Sequence, residues 1–159
     1  MRPTSIFHFR FKGKPMSLES WKREFYPEPA SQHTTDTADN VDNVDNVDML
    51  EHALKKWRGL IPANLERHGL VSRSIPQLLE ERDNPRESFS VGTTSCSMCA
   101  RYYKDSEDQP DCEGCPLNAY QDGPCCYCSP NPYAEFMQRG DPQPMINALT
   151  ECLKIEMEK

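Results

Sequence analysis

Apolar positions along this chain fall in short, separated groups. Leu18, Trp21 and Phe25 recur at spacings of three and four, after Ser17 and before Pro27 and Pro29, which predicts a helix over 17–25. Leu50, Ala53, Leu54 and Trp57 form a second stripe at helical spacing. Asp48 stands at its N-cap and Gly59 at its end, so a helix over 48–58 is expected. Its wheel sets His52 opposite the stripe, as a solvated histidine, with Lys55, Lys56 and Arg58 around it. A short helix over 62–68 starts near Pro62. It closes with Gly69 in the left-handed conformation, Leu70 folding back and His68 as a capping residue. Ser74-Ile75-Pro76-Gln77 is a capping-box pattern before Leu78 and Leu79 and predicts a helix over 76–82. Asn131 caps a helix over 132–139 that carries Tyr133, Phe136 and Met137 on one side and stops at Gly140. Asp141 caps the last helix, 142–157, with Met145, Ala148, Leu149, Cys152, Leu153 and Glu156 on one face. Alternation over 4–12 suits a short edge strand or a disordered arm, and Ser88-Phe89-Ser90-Val91 suits a strand leading into the cysteines.

Residues 30–47 break this pattern. Asn-Val-Asp occurs three times in succession at 40–48, and a period of three fits neither a helix stripe nor a strand. The segment is polar and acidic and reads as a disordered linker. A calcium loop needs ligands at alternate positions, a central glycine and a terminal glutamate, and none of these is present.

Composition narrows the fold class. The hydrophobic share is 36% and there are 14 prolines, with a mean hydropathy of -0.79. A single continuous core is not expected from so few apolar residues, and a metal or covalent brace is. No run approaches the roughly 20 apolar residues of a membrane span. The N-terminus is basic and aromatic and lacks the apolar core of a signal peptide, so a reducing compartment is expected. Eight cysteines in that setting point to metal or thiols rather than disulfides. The net charge of -7 is uneven: residues 31–50 carry only aspartates, and the cysteine-rich stretch is acidic too. Such a surface repels phosphates.

Seven cysteines lie between 96 and 128. Cys96-Ser-Met-Cys99 and Cys112-Glu-Gly-Cys115 are two C-x₂-C pairs, twelve residues apart. A two-residue gap turns both sulfurs inward, with backbone N–H groups bonding the thiolates. Two facing pairs then make a tetrahedron for Zn²⁺, at about 2.3 Å per sulfur. Four thiolates also suit an iron–sulfur cluster, and free thiols or disulfides are the third reading. Cys125, Cys126 and Cys128 either substitute for one of the four ligands or join Cys152 in a second site. Cys152 alone reads most simply as a buried core thiol. A redox-active pair within 125–128 is the catalytic alternative. Tyr102, Tyr103, Tyr120, Tyr127 and Tyr133 supply large side chains for a small core around the metal, or else a binding surface.

Three stretches together resemble an uncharacterised family of small cysteine-rich proteins of tailed bacteriophages. They are Trp21-Lys-Arg-Glu-Phe25-Tyr-Pro, the segment from His52 through Trp57-Arg-Gly-Leu to His68-Gly, and the paired C-x₂-C block followed by Pro132-Tyr133 and Gly-Asp-Pro-Gln-Pro-Met. The resemblance implies a phage accessory protein of the bacterial host cytoplasm with zinc at Cys96, Cys99, Cys112 and Cys115. One cysteine of 125–128 is a fifth candidate. It implies no known reaction, and it implies translation from Met16, leaving residues 1–15 without a role.

The expected fold is small, α-rich and irregular, with short helices around a four-cysteine module of zinc-knuckle or ribbon type. It divides into an N-terminal arm and helix (1–29), the linker (30–47), a helical segment (48–90) and the cysteine-rich module with the C-terminal helices (91–159). The expected function is a zinc-stabilised module that binds another protein, of host or phage, and no membrane. A nucleic-acid-binding zinc ribbon is the alternative, with Lys55, Lys56, Arg58 and Arg67 as its basic patch. A thiol-based enzyme is the second alternative. No H-E-x-x-H, phosphate loop or G-x-S-x-G is present, and four thiolates close a zinc to substrate.

Overall fold

Two long helices carry the fold. In the computed structural model, which describes residues 18–26, 44–70, 96–103, 112–121 and 131–159, they are α2 (Val44–Gly59) and α7 (Gln143–Met157). Around them stand α1 (Leu18–Phe25), α3 (Pro62–Arg67), α4 (Ser97–Tyr102), α5 (Pro116–Gln121) and α6 (Pro132–Arg139). The described residues contain no strand. The helix expected over 76–82, the strands expected at 4–12 and 88–91, and the cap at Ser17 lie outside them. No described helix is long and apolar enough to cross a membrane.

Helix α2 is the hub. It packs on α7, α4, α1 and α3, while α7 also receives α5 and α6. A helix enclosed on so many sides keeps only a narrow stripe for water. Asp48, Glu51, Lys55 and Arg58 are that stripe, at spacings of three and four. Met49, Leu50, Ala53, Leu54 and Trp57 are buried, and so are His52 and Lys56. The expectation of a solvated His52 is therefore corrected: its ring centroid lies 5.1 Å from that of Tyr26. The helix also begins at Val44 rather than Asp48, taking in part of the Asn-Val-Asp repeat. Asn46 accounts for this extension, because its side chain bonds both Tyr102 and Glu156.

Gly59 ends α2 for a different reason from the one expected. Its backbone is helical, not left-handed. A Cβ there would lie 2.6 Å from Phe25 Cγ and 2.8 Å from Trp21 Cζ2. Only glycine lets α1 come this close, and Trp21 Nε1 then donates to the Gly59 carbonyl at 2.8 Å. On the other side of α2, Trp57 meets Phe136 of α6 edge-on, with centroids 4.7 Å apart.

Local signals set the remaining ends. After α3, Gly69 has φ 69°. Leu70 N–H donates to the Leu65 carbonyl and Gly69 N–H to that of Glu66, the paired bonds of a Schellman ending. Asn131 Oδ1 accepts from Ala134 N–H at the head of α6, and Gly140 closes that helix with φ 71°. Met137, placed on the apolar side of α6 by its spacing, is exposed. Met145, Ile146, Ala148, Leu149, Cys152 and Glu156 form the buried face of α7, with Leu153 packed at its margin.

His68 serves as the latch between α1 and α3. Its Nε2 lies 3.0 Å from Glu24 Oε2 and its Nδ1 2.7 Å from Ser20 Oγ. Serine, histidine and carboxylate in series resemble a hydrolase triad. Here Ser20 and Glu24 sit one turn apart on the same helix, and the ring fills the joint between two helices, with its edge toward Phe25. These contacts tie α1 to α3.

Candidate metal centre

The first cysteine pair opens α4. Cys96 occupies the N-cap position with extended backbone (φ -104°, ψ 120°), and Cys99 follows in the first turn. The first pair therefore sits at a helix start. Ser97 Oγ donates to the Met49 carbonyl at 2.8 Å and fixes the pair against α2. The backbone N–H of Cys99 donates to the Cys96 sulfur, and the two thiols are hydrogen-bonded to each other. That bond, followed by burial, holds the Cys96 thiol well above its ordinary range; Lys56 and the Cys99 N–H pull the other way.

The second pair opens α5. Cys115 N–H donates to the Cys112 carbonyl at 3.0 Å, and Gly114 turns the chain at φ 83°. The Cys115 carbonyl then accepts from Ala119 N–H, the first turn of the helix that Pro116 was expected to start. Both sulfur residues are buried, Cys112 at 2% exposure and Cys115 at 5%. The two pairs are neighbours. A side chain at Gly114 would touch the Tyr102 ring at 3.3 Å, and Tyr102 lies one turn beyond Cys99 on α4. Cys112, Cys115, Met98 and Leu117 belong to one core cluster with α2 and α7, and Cys96 packs against it.

Cys152 arrives from α7. It is 1% exposed, and its thiol donates to the Pro116 carbonyl at 3.7 Å. Burial, then the nearness of Cys115 and Glu156, pushes this thiol up to about 12. Glu156, one turn further on, is also buried. Its carboxylate accepts from Asn46 Nδ2 at 3.2 Å and from Lys159 Nζ at 2.5 Å. Asn46 Oδ1 in turn accepts from the Tyr102 phenol, which is raised first by burial. A polar seam of Asn46, Tyr102 and Glu156 thus runs beside the second cysteine pair. Sequence reasoning had counted Glu156 on the buried face of α7 without giving it a role.

Cys96, Cys99, Cys112, Cys115 and Cys152 are thiols, in no disulfide. Among the described residues, no three His, Cys, Asp or Glu side chains converge as a metal-holding group. The structure sets the two pairs near each other through the approach of Gly114 to Tyr102, without gathering the four expected ligands into one group, and sets Cys152 against the Pro116 carbonyl. Cys125, Cys126 and Cys128 lie outside the described residues. By donor type alone, four cysteine thiols suit a thiophilic ion.

The basic patch anticipated from the sequence is dispersed. Lys56 is 2% exposed. Arg67 is bound to Glu24 at 2.5 Å. Lys55 and Arg58 remain at the surface, where they edge a cleft of about 340 Å³ shared with Glu51, Phe25, Leu54 and Leu153. Of the tyrosines, Tyr102, Tyr103 and Tyr133 pack against the core and Tyr120 is exposed.

The chain matches no family model, no curated protein and no solved structure.

Proposed function

We propose that this protein is a zinc-stabilised interaction module in which Cys96, Cys99, Cys112 and Cys115 hold one Zn²⁺. The observation that carries the reading is the pair of Cys-x₂-Cys turns, each opening a short helix and both seated side by side on one helical core. Metal binding would draw the two half-sites onto one ion. Four thiolates leave that ion no open position, so its role is to hold α4 and α5 in place rather than to activate a substrate. The raised Cys96 and Cys152 thiols weigh against either of these two cysteines as a nucleophile, which wants a lowered one. The acidic chain and the dispersal of its basic residues support another protein as partner over a phosphate backbone. With the resemblance to cysteine-rich phage proteins, this makes it a phage accessory protein acting in the host cytoplasm on host or phage machinery.

X-ray absorption at the zinc edge tests the ligand set. Four sulfurs at about 2.3 Å are expected, and nitrogen or oxygen in the first shell would overturn the four-cysteine assignment. Gel shifts at low ionic strength, where phosphate contacts are strongest, should show no binding of single- or double-stranded nucleic acid.

A further inference from the structure

A hydrolytic nucleophile is recognised by geometry: its hydroxyl lies within about 2.6–3.2 Å of a base, and a third group orients that base. Ser20 Oγ lies 2.7 Å from His68 Nδ1, and His68 Nε2 lies 3.0 Å from Glu24 Oε2. The last two members are themselves held. The backbone N–H of His68 donates to the Leu65 carbonyl at 2.9 Å, and the ring meets Phe25 edge-on at 5.9 Å between centroids. Glu24 Oε1 accepts from Arg67 Nη2 at 2.5 Å while Oε2 faces the ring. That ion pair already ties α1 to α3, and it requires no hydroxyl on the other ring nitrogen. His68 is 7% exposed and Ser20 is only partly buried, so the base is shielded from water while the hydroxyl is within reach of a small molecule. Ser20 also stands in the first turn of α1. Backbone N–H groups of a first turn have no acceptor within their helix, and side chains lean toward that end. Ser20 Oγ thus shares the end of α1 with donors of the kind that hold an oxyanion.

We propose that Ser20, His68 and Glu24 form a hydrolytic site that cleaves small carboxylic esters, with Ser20 as nucleophile, His68 as general base and then acid, and Glu24 as the positioning residue. The reaction uses the ring tautomer with its proton on Nε2, facing Glu24. Ser20 Oγ bonds to the ester carbonyl carbon while its proton passes to His68 Nδ1. The bond from that carbon to the alcohol oxygen then breaks, and the Nδ1 proton leaves with the alcohol. Water adds to the acyl carbonyl on Ser20 and gives a proton to Nδ1. The bond to Oγ breaks, the proton returns to Oγ, and the carboxylic acid departs. None of the three residues belongs to a cysteine pair, so the site stands whether or not the chain holds zinc.

The test is labelling of the full chain with an alkyl fluorophosphonate, with the label located by peptide mass spectrometry, followed by hydrolysis of p-nitrophenyl acetate. Reading the label site by site separates Ser20 from the thiols. The wild type should take the label on Ser20, and His68→Gln should slow that labelling about 100-fold or more, the lower end of what a general base contributes. The wild type should hydrolyse the ester faster than Ser20→Ala does. Glu24→Gln should lower kcat for the Ser20-dependent part with KM unchanged, because Glu24 touches no substrate. If His68→Gln does not fold, the wild type and Ser20→Ala decide the matter without any change at the buried ring. A wild type that takes no label on Ser20, or that hydrolyses the ester no faster than Ser20→Ala, would overturn the proposal.

Discussion

Removing zinc with a chelator at neutral pH is expected to melt α4 and α5 while the contact between α2 and α7 survives. Each of the two short helices has six residues, far below the roughly 12–15 needed for a helix to persist by itself in water. Helix α4 has no side-chain cap at its start. Its own apolar contribution is chiefly Met98, and that of α5 is chiefly Leu117. A structural four-ligand zinc supplies about 10–16 kcal/mol of apparent binding free energy, more than the burial of two such side chains at about 1.5–3 kcal/mol each. Hydrogen exchange read by mass spectrometry checks this directly. Amides of 97–102 and 116–121 should lose protection on chelation, and those within 143–157 should keep most of theirs. Cys112→Ser should reproduce the effect without chelator. Unchanged exchange over 97–102 and 116–121 would mean that packing alone holds these two helices.

The second large effect is expected from Trp57→Ala. Trp57 is 3% exposed and joins α2 to α6 through edge-on contacts with Phe136 and Tyr133, at 4.7 and 6.4 Å between centroids. Truncating a buried tryptophan costs about 3–5 kcal/mol, and the aromatic pairing contributes about 0.5–1.5 kcal/mol beyond area alone. Against a total stability of roughly 5–15 kcal/mol, that approaches global unfolding. Denaturant titration of the zinc-loaded protein should show the loss as a lowered midpoint, with Trp57→Phe recovering part of it. A loss below about 1 kcal/mol would mean that α6 is not docked where the structure places it.

The parts legible in the sequence are those governed by neighbouring residues. The Gly69 ending of α3, the Asn131 and Gly140 ends of α6, and the buried face of α7 all follow from local chemistry, and each is found where the pattern puts it. The hub was harder to read, because a helix packed on several sides buries polar positions that a two-faced pattern assigns to water. His52 and Lys56 were misplaced for that reason. Gly59 shows the same limit: a helix-ending glycine and a glycine under a neighbour's aromatic ring look alike in one dimension, and only the contacts with Phe25 and Trp21 separate them. Helix α2 runs back to Val44 because Asn46 finds partners 56 and 110 residues away, a long-range cause invisible in a repeat of Asn-Val-Asp.

The candidate site divides in the same way. Spacing alone identified the two cysteine pairs, since two residues between sulfurs is a local constraint. The first pair's place at the start of a helix was not read, although Met98 and Tyr102 pack inward at a spacing of four. Neither the approach of Cys152 to Pro116 nor the Asn46–Tyr102–Glu156 seam has a local signal. Both are products of α7 crossing the second turn. The nucleic-acid alternative rested on counting Lys55, Lys56, Arg58 and Arg67 as one patch. In the folded chain one of these is buried and another is bound by Glu24, so adjacency in sequence did not become a surface.

The most direct test of the central claim is metal content per chain, by elemental mass spectrometry on protein purified under reducing conditions. One zinc per chain is the expected result, lost when Cys96, Cys99, Cys112 or Cys115 is replaced by serine and kept in Cys152→Ser. Iron in its place, or a chain that carries no metal, would contradict the account.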